Sequence, residues 1–402
     1  MSSRAMEKES YTEFSTRVHG QVTPWNRRPI TGTIEVTRRC NFSCLHCYSN
    51  LPADDAVRKC ELSLEEHRRI LDEIAEAGTL WLLFTGGEIF VRPDFMEIYR
   101  HARGKGFLIT MFTNGSGITE PIADELAEWR PFAIEITLYG HTRETHERLT
   151  RAPGSFARVR GAIERLMTRG LPLKLKTVVL RENVHELWDM QRFARDLGVE
   201  FRFDAMINPR LDGSRGPLAT RLEPVEVVEL DVLDRKRADA WQSFCEHFNG
   251  PPQPPGREDC LYHCGGAVNS FSIDPCGRLG LCNFSNAPGD LYDLREGSFR
   301  EGWERFLGGV VERRVTRETK CTRCHIKSLC GMCPAYGEME MGDPEEPVDF
   351  LCHVAHLRAR VLGIEVPRHG DCEYCEGGKR FGKMVADAGR LRDVGRRLPF
   401  NC

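Results

Sequence analysis

The chain carries little that would suit a membrane or a nucleic acid. No stretch of its 402 residues is long and apolar enough to span a bilayer. The first residues, MSSRAMEKESYTEF, lack the apolar core of a secretion signal, which predicts a cytoplasmic protein. A net charge of -3 supplies no basic excess from which to expect nucleic acid binding. Internal repeats are missing too, apart from an alternation of short apolar runs with amphipathic stretches.

What the chain has in quantity is cysteine, 17 in all. In a reducing compartment they are better read as metal or redox groups than as disulfides. A secreted disulfide scaffold is disfavoured by the missing signal, the size and the clustered spacing.

Strands are predicted at Thr31–Thr37, Thr79–Phe84, Phe107–Thr113, Phe132–Leu138, Leu173–Leu180 and Glu200–Asp204. Helical patterns lie between them. LSLEEHRRILDEIAEAG has Ser63 and Glu66 as a capping box and Gly78 as a stop. SFARVRGAIERLMTRG runs from Ser155 to Gly170. This alternation predicts a parallel sheet with crossover helices, with function collected at the C-terminal strand ends. A helical stretch is expected near Pro224–Phe244, then a stiff linker, GPPQPPG, at Gly250–Gly256. The expected divisions are an N-terminal extension (1–30), a βα unit (31–210), a bridging region (211–259), a cysteine-rich domain (260–355) and a tail (356–402).

Cys40, Cys44 and Cys47 lie in CNFSCLHCY, with three and then two residues between them. Three thiolates on one loop can hold three irons of a cubane and leave the fourth open to a ligand. The loop follows the first predicted strand and so falls at the functional end. CxxxCxxC followed by the aromatic Tyr48 resembles the signature of radical S-adenosylmethionine (SAM) enzymes. The resemblance implies a partial (β/α)6 TIM-like barrel, since six units are too few for a full one. It also implies a 5′-deoxyadenosyl radical formed by reductive cleavage of SAM.

Gly86, Gly87 and Glu88, in FTGGEIF, follow the second strand. Glycines there allow close backbone approach to a small ligand. The resemblance makes them the motif that binds the methionine amino group. Asn114 (FTNG) and Thr137 (EITLYG) are weaker candidates at later strand ends, Thr137 for the ribose. Thr137 reads equally well as a β-branched strand residue. Arg151 and Lys176 are candidates for the methionine carboxylate, against a surface or structural charge. Asp204, near a strand end, is a weak substrate acid–base candidate, against a turn or cap residue.

A second cysteine set comprises Cys260, Cys264, Cys282, Cys321, Cys324, Cys330, Cys333 and Cys352. Twelve residues separate Cys264 from Gly277, and four separate Gly277 from Cys282. This is similar to the SPASM extension of radical SAM enzymes, which holds two auxiliary [4Fe–4S] clusters. It departs in placing only two residues between Cys330 and Cys333. The resemblance implies Cys321, Cys324, Cys330 and Cys352 for an outer cluster and Cys260, Cys264, Cys282 and Cys333 for an inner one. Cys276 competes with Cys260, and an open inner iron is an alternative. Taken alone, CTRCHIKSLCGMC would suit zinc. Cys372 and Cys375 (DCEYC) can bind metal, form a redox disulfide or lie unused; no further partner pair is evident. Cys60, Cys245 and Cys402 are isolated and read as free thiols. The basic stretch KRFGKMVADAGRLRDVGRRLPF reads as a docked helix or, more sharply, as a surface for an acidic leader.

The expected cofactors are therefore three [4Fe–4S] clusters and SAM. The expected activity is oxidative modification of a ribosomal precursor peptide, with an external one-electron reductant such as flavodoxin or ferredoxin. About thirty residues precede the first strand, too few for a leader-recognition domain, so a separate chain or the barrel mouth would hold the peptide. The alternatives are a small-molecule dehydrogenase or cofactor-building enzyme, a sulfatase maturase, or a non-catalytic metal-binding scaffold. Asn283 stands where sulfatase maturases have a catalytic aspartate, which demotes that reading.

Overall fold

The computed structural model describes residues 9–49, 51–246 and 256–395. Nearly all of the proline-rich linker, the Cys245 side chain and Cys402 lie outside the described residues.

Strands β1 (Thr31–Thr37), β2 (Arg39–Cys40), β3 (Leu51–Pro52), β4 (Trp81–Gly86), β5 (Leu108–Thr113), β6 (Ala133–Thr137), β7 (Leu173–Val178) and β8 (Glu200–Asp204) come first. β9 (Ser270–Ile273), β10 (Arg278–Gly280) and β11 (Tyr292–Asp293) follow in the last third. Nine of them form one sheet in the order β11-β10-β9-β1-β4-β5-β6-β7-β8. The six expected strands are all present and pair in parallel. The fold is α/β with a mostly parallel sheet, as the alternation implies.

The sheet does not stop at β1. β9 pairs with it in parallel, Thr31 opposite Ser270 and Ile34 opposite Ile273. β10 and β11 then continue antiparallel. The sheet thus crosses the division expected near residue 260.

Each parallel strand buries one face against helices. In β5, Ile109, Met111 and Thr113 are buried while Leu108, Thr110 and Phe112 are half-buried on the opposite face. The helix Leu64–Glu76 is fixed by the expected box: Ser63 Oγ accepts from Glu66 N at 3.2 Å, and Ser63 N donates to the Glu66 carboxylate at 2.7 Å. Its apolar stripe, Ile70, Leu71 and Ile74, is fully buried. Each such side chain contributes roughly 1.5–3 kcal/mol by burial.

The stretch expected near Pro224–Phe244 is two helices, Pro224–Leu233 and Arg235–Glu246, broken at Asp234. Pro224–Leu233 joins the helices Asp349–Val361 and Phe381–Gly395 in a second core around Val227, Val228, Val354, Leu357 and Met384. The basic C-terminal stretch is thus a docked helix over Phe381–Gly395.

Candidate functional site

β1 and the short β2 deliver the chain into the Cys40–Tyr48 loop, and β3 brings it back, pairing Cys40 with Pro52. Arg39 anchors the entrance: buried, it meets Glu61 at 2.8 Å and donates to the Ala53 carbonyl at 2.8 Å. The loop is also pinned to the end of the helix Arg143–Thr150, as Ser43 N donates to Thr150 O at 2.9 Å and Leu45 N to Leu149 O at 3.1 Å. The Cys40, Cys44 and Cys47 sulfurs act on one another electrostatically. Burial pushes the Cys40 thiol up to about 12 and Cys44 well above the usual thiol range. These thiols stay protonated until a cation replaces the proton.

Gly86 and Gly87 end β4 against this entrance. A Cβ on Gly86 would lie 2.0 Å from Thr37 O, and one on Gly87 would lie 2.3 Å from Arg39 O. Gly86 also has φ +139, a region that favours glycine. Gly87 N donates to Thr37 O at 2.8 Å and Glu88 N to Arg39 O at 3.0 Å. The first demand on the two glycines is therefore contact with the backbone that starts the cysteine loop.

Glu88 is fully buried. It accepts from Thr113 Oγ1 at 2.7 Å, Asn114 N at 2.6 Å and Phe90 N at 3.2 Å. Burial raises its carboxyl to about 6 despite these donors. Asn114 Nδ2 lies 3.7 Å from Cys40 Sγ and donates to Asn41 Oδ1 at 2.9 Å. The predicted Gly86–Glu88 and Asn114 thus meet at the loop.

The later candidates divide. Tyr139 is half-buried, hydrogen-bonds with Cys44 and Thr137, and packs 4.9 Å from the His46 ring. Thr137 therefore belongs to the loop's surroundings. Lys176 sits over the Phe112 ring, 3.6 Å from Glu135, and burial holds its amine well below the usual range. Arg202 meets Glu135 from β8 at 2.5 Å. Arg151 is exposed and ends a helix in a left-handed conformation, φ 51. Asp204 Oδ1 accepts from Met206 N at 2.9 Å, the contact of a turn residue.

In the second set, Cys264, Cys282 and Cys333 act on one another electrostatically. Cys321, Cys324 and Cys330 do likewise, and Cys352 joins them through Cys330. Burial lifts Cys321 and Cys333 to about 11 and Cys330 to about 12. Cys260, Cys321, Cys324, Cys330, Cys333 and Cys352 all line one cavity of about 110 Å³. Gly277, φ 84, turns the corner between β9 and β10.

One expectation is overturned here. Cys60 and Cys276 are not free: a disulfide joins them across 216 residues. The β9–β10 corner is held beside Cys60 because Leu62 N donates to Pro275 O at 2.8 Å. Cys276 therefore no longer competes with Cys260 for a cluster.

Of the residues that join the two cysteine sets, Tyr48 alone was singled out in the sequence. Tyr48 donates to Glu35 at 2.6 Å, and Glu35 meets Arg38 at 3.0 Å. Arg38 reaches Asp274, beside the β9–β10 corner, at 4.0 Å. The Tyr48 ring packs edge-on to Phe284, centroids 5.5 Å apart, and Phe284 packs on Tyr336 at 5.9 Å. The aromatic–aromatic pairing of a post-cysteine Tyr with the Phe in LCNFS was the available signal.

Residues 34–194 match the family model of the radical SAM superfamily. The mycofactocin maturase MftC of Mycobacterium ulcerans is 30% identical over 316 residues, 76% of this chain and 83% of that one. The chain belongs to the radical SAM superfamily. Members bind a [4Fe–4S] cluster and SAM, so this radical SAM chain is an enzyme. Another relative is the AdoMet-dependent heme synthase of Methanosarcina barkeri, 25% identical over 337 residues, 78% of this chain and 94% of that one. Streptococcus suis SuiB, solved with its precursor peptide SuiA, has the same fold: TM-score 0.63 at 15% identity, covering 88% of this chain and 84% of SuiB. The donor set fits the radical SAM cluster: three thiols on one loop, close enough to act on one another, with Cys44 buried. Among the described residues, no helix is long and apolar enough to cross a membrane.

Proposed function

We propose that this radical SAM enzyme oxidatively modifies a ribosomally made peptide, and that its C-terminal region is a SPASM-type domain with two auxiliary [4Fe–4S] clusters. Cys40, Cys44 and Cys47 would hold the first cluster. Cys321, Cys324, Cys330 and Cys352 would hold the outer auxiliary cluster. Cys264, Cys282 and Cys333 would hold the inner one, with Cys260 as its fourth candidate. When bound, the first cluster and SAM supply one-electron cleavage to a 5′-deoxyadenosyl radical.

The protein's own contribution is placement. Glu88 accepts three hydrogen bonds, so about one lone-pair direction of its carboxylate remains for an ammonium such as that of SAM. Asn114 and Tyr139 hold the cysteine loop in shape. Thr137 offers its hydroxyl, and Lys176 and Arg202 line the half-buried face where a substrate would lie. Arg151, being exposed, is the weakest of the proposed SAM contacts.

The observation that carries this reading is the contact of Tyr48 with Phe284, two residues beyond Cys282. It sets the radical-forming loop against the second cysteine set, which suits an oxidation whose electron leaves through auxiliary clusters. Kinship with a maturase supports a peptide substrate. An external reductant such as flavodoxin or ferredoxin would supply the first electron, and a separate chain would present the leader.

Kinship with the heme synthase favours a second reading, a small substrate rich in carboxylates. Arg202 on the same face, paired with Glu135 at 2.5 Å, offers a cation for such anions, whereas burial disfavours the charged form of Lys176. Anaerobic reconstitution with SAM and the peptide encoded beside the gene separates the two. A peptide lighter by whole hydrogens supports the first. An unchanged peptide, with 5′-deoxyadenosine formed only when a carboxylated tetrapyrrole is added, supports the second.

A further inference from the structure

The cysteine pair in the tail does have partners. The helix Asp349–Val361 presents His356 one turn after Cys352, and the following loop folds His369, Cys372 and Cys375 back onto it. All four are buried: His356 and Cys375 are 1% exposed, His369 3% and Cys372 4%. One ligand atom from each lies within 4.8 Å of the others. We propose that His356, His369, Cys372 and Cys375 form a mononuclear zinc site beside the proposed outer cluster, whose Cys321, Cys324, Cys330 and Cys352 line one cavity with His356 and His369.

The distances fit a tetrahedron. Zinc bonds of about 2.3 Å to sulfur and 2.0 Å to nitrogen give S···N edges of about 3.6 Å. His356 Nε2 lies 3.4 Å from Cys372 Sγ and 3.7 Å from Cys375 Sγ. His369 Nδ1 lies 3.4 Å from Cys375 Sγ.

The tautomer of His356 fits as well. Its Nδ1 is 2.7 Å from the Cys352 carbonyl, which can only accept. The proton therefore sits on Nδ1, and Nε2 turns its lone pair toward the two sulfurs. A backbone carbonyl on the far nitrogen is the usual support of a metal-binding histidine. His369 Nδ1 lies 3.0 Å from Pro367 O, so without metal it carries the proton, and binding the ion requires that proton to leave or move to Nε2.

The loop is shaped as a knuckle. Gly370 and Gly377 have φ 51 and 81, and a Cβ on Gly378 would lie 2.4 Å from Glu373 O. Charge balances: two thiolates neutralise one Zn²⁺, so the buried site carries no net charge. The site clamps the tail onto the helix that carries Cys352, a proposed ligand of the outer cluster. Cys352 Sγ is itself 3.7 Å from His356 Nδ1.

The test is metal analysis of the anaerobically purified holoenzyme, with zinc K-edge absorption. One zinc per chain, with two sulfur and two nitrogen neighbours, is expected. Wild type without zinc, or zinc with four sulfurs, would overturn the proposal; four sulfurs would place the ion at a cluster site. In Cys372→Ser/Cys375→Ser, zinc should vanish while iron stays at the wild-type level; lost iron would assign these thiols to a cluster instead. Should that variant fail to fold, His369→Cys decides: zinc is retained and the count moves to three sulfurs. An unmoved count would sink the assignment of His369.

Discussion

The Tyr48 hydroxyl donates to Glu35 at 2.6 Å, and this bond ties the cysteine loop to the first strand of the sheet. Glu35 is 1% exposed, and burial raises its carboxyl although Arg38 and Tyr48 oppose that shift. Tyr48→Phe keeps the ring on Phe284 and deletes only the donor. It should cost about 1–2 kcal/mol in anaerobic unfolding, the usual effect of removing one partner from a buried charged group. Iron content should not change; a large loss of iron would show that the hydroxyl does more than anchor the loop.

Gly86→Ala should disable the first cluster without touching a ligand. The new Cβ has 2.0 Å to Thr37 O, and the backbone at φ +139 resists any side chain. The β4 end and the loop entrance must separate. We expect iron to fall by about four per chain and 5′-deoxyadenosine to be lost. Full activity in this variant would refute the close-approach argument.

The two cysteine sets should separate in function. Cys44→Ala should abolish SAM cleavage. Cys282→Ala should leave 5′-deoxyadenosine formation measurable while product formation stops. Chromatography of both products from the same reaction checks this, and equal loss of both in Cys282→Ala would argue against an electron-accepting role.

His67 makes stability fall with acidity. It is buried, neither ring nitrogen has a hydrogen-bond partner, and burial lowers its pKa from 6.5 to about 3. Between those values the unfolded chain binds a proton that the folded chain does not, so stability drops as pH falls below 6.5. Arg92 adds to the lowering, and Asp94 and Glu66 oppose it. From pH 7 to 5, wild type should lose up to about 2 kcal/mol more than His67→Leu in denaturant titration. Parallel losses in the two proteins would show that other groups govern the acid response.

Much of this was legible because it is local. β1 and β8 fall where their apolar patterns place them, Thr31–Thr37 and Glu200–Asp204. Ser63 and Glu66 cap their helix as a three-residue spacing requires. Gly86 and Gly87 were legible as special positions, but their closest neighbour is backbone of this chain, which no local pattern reveals. β9 was hidden because Ser270–Ile273 is too short to show a period and takes its partner from the far end of the sequence. The Cys60–Cys276 bond was hidden for the same reason. His356 and His369 escaped because only thiols were counted; a histidine three residues before a CxxC pair was the signal.

The pairing of β9 with β1 also sets a timetable for synthesis. Residue 31 leaves the ribosome long before residue 270, and until then one edge of β1 has no partner. At about 5–20 residues per second that edge stays open for roughly 10–50 s. Exposed strand edges invite pairing with other chains. Expression conditions that slow elongation should therefore favour aggregation over cluster-loaded protein, and the sheet becomes safe only once its latest strands have arrived.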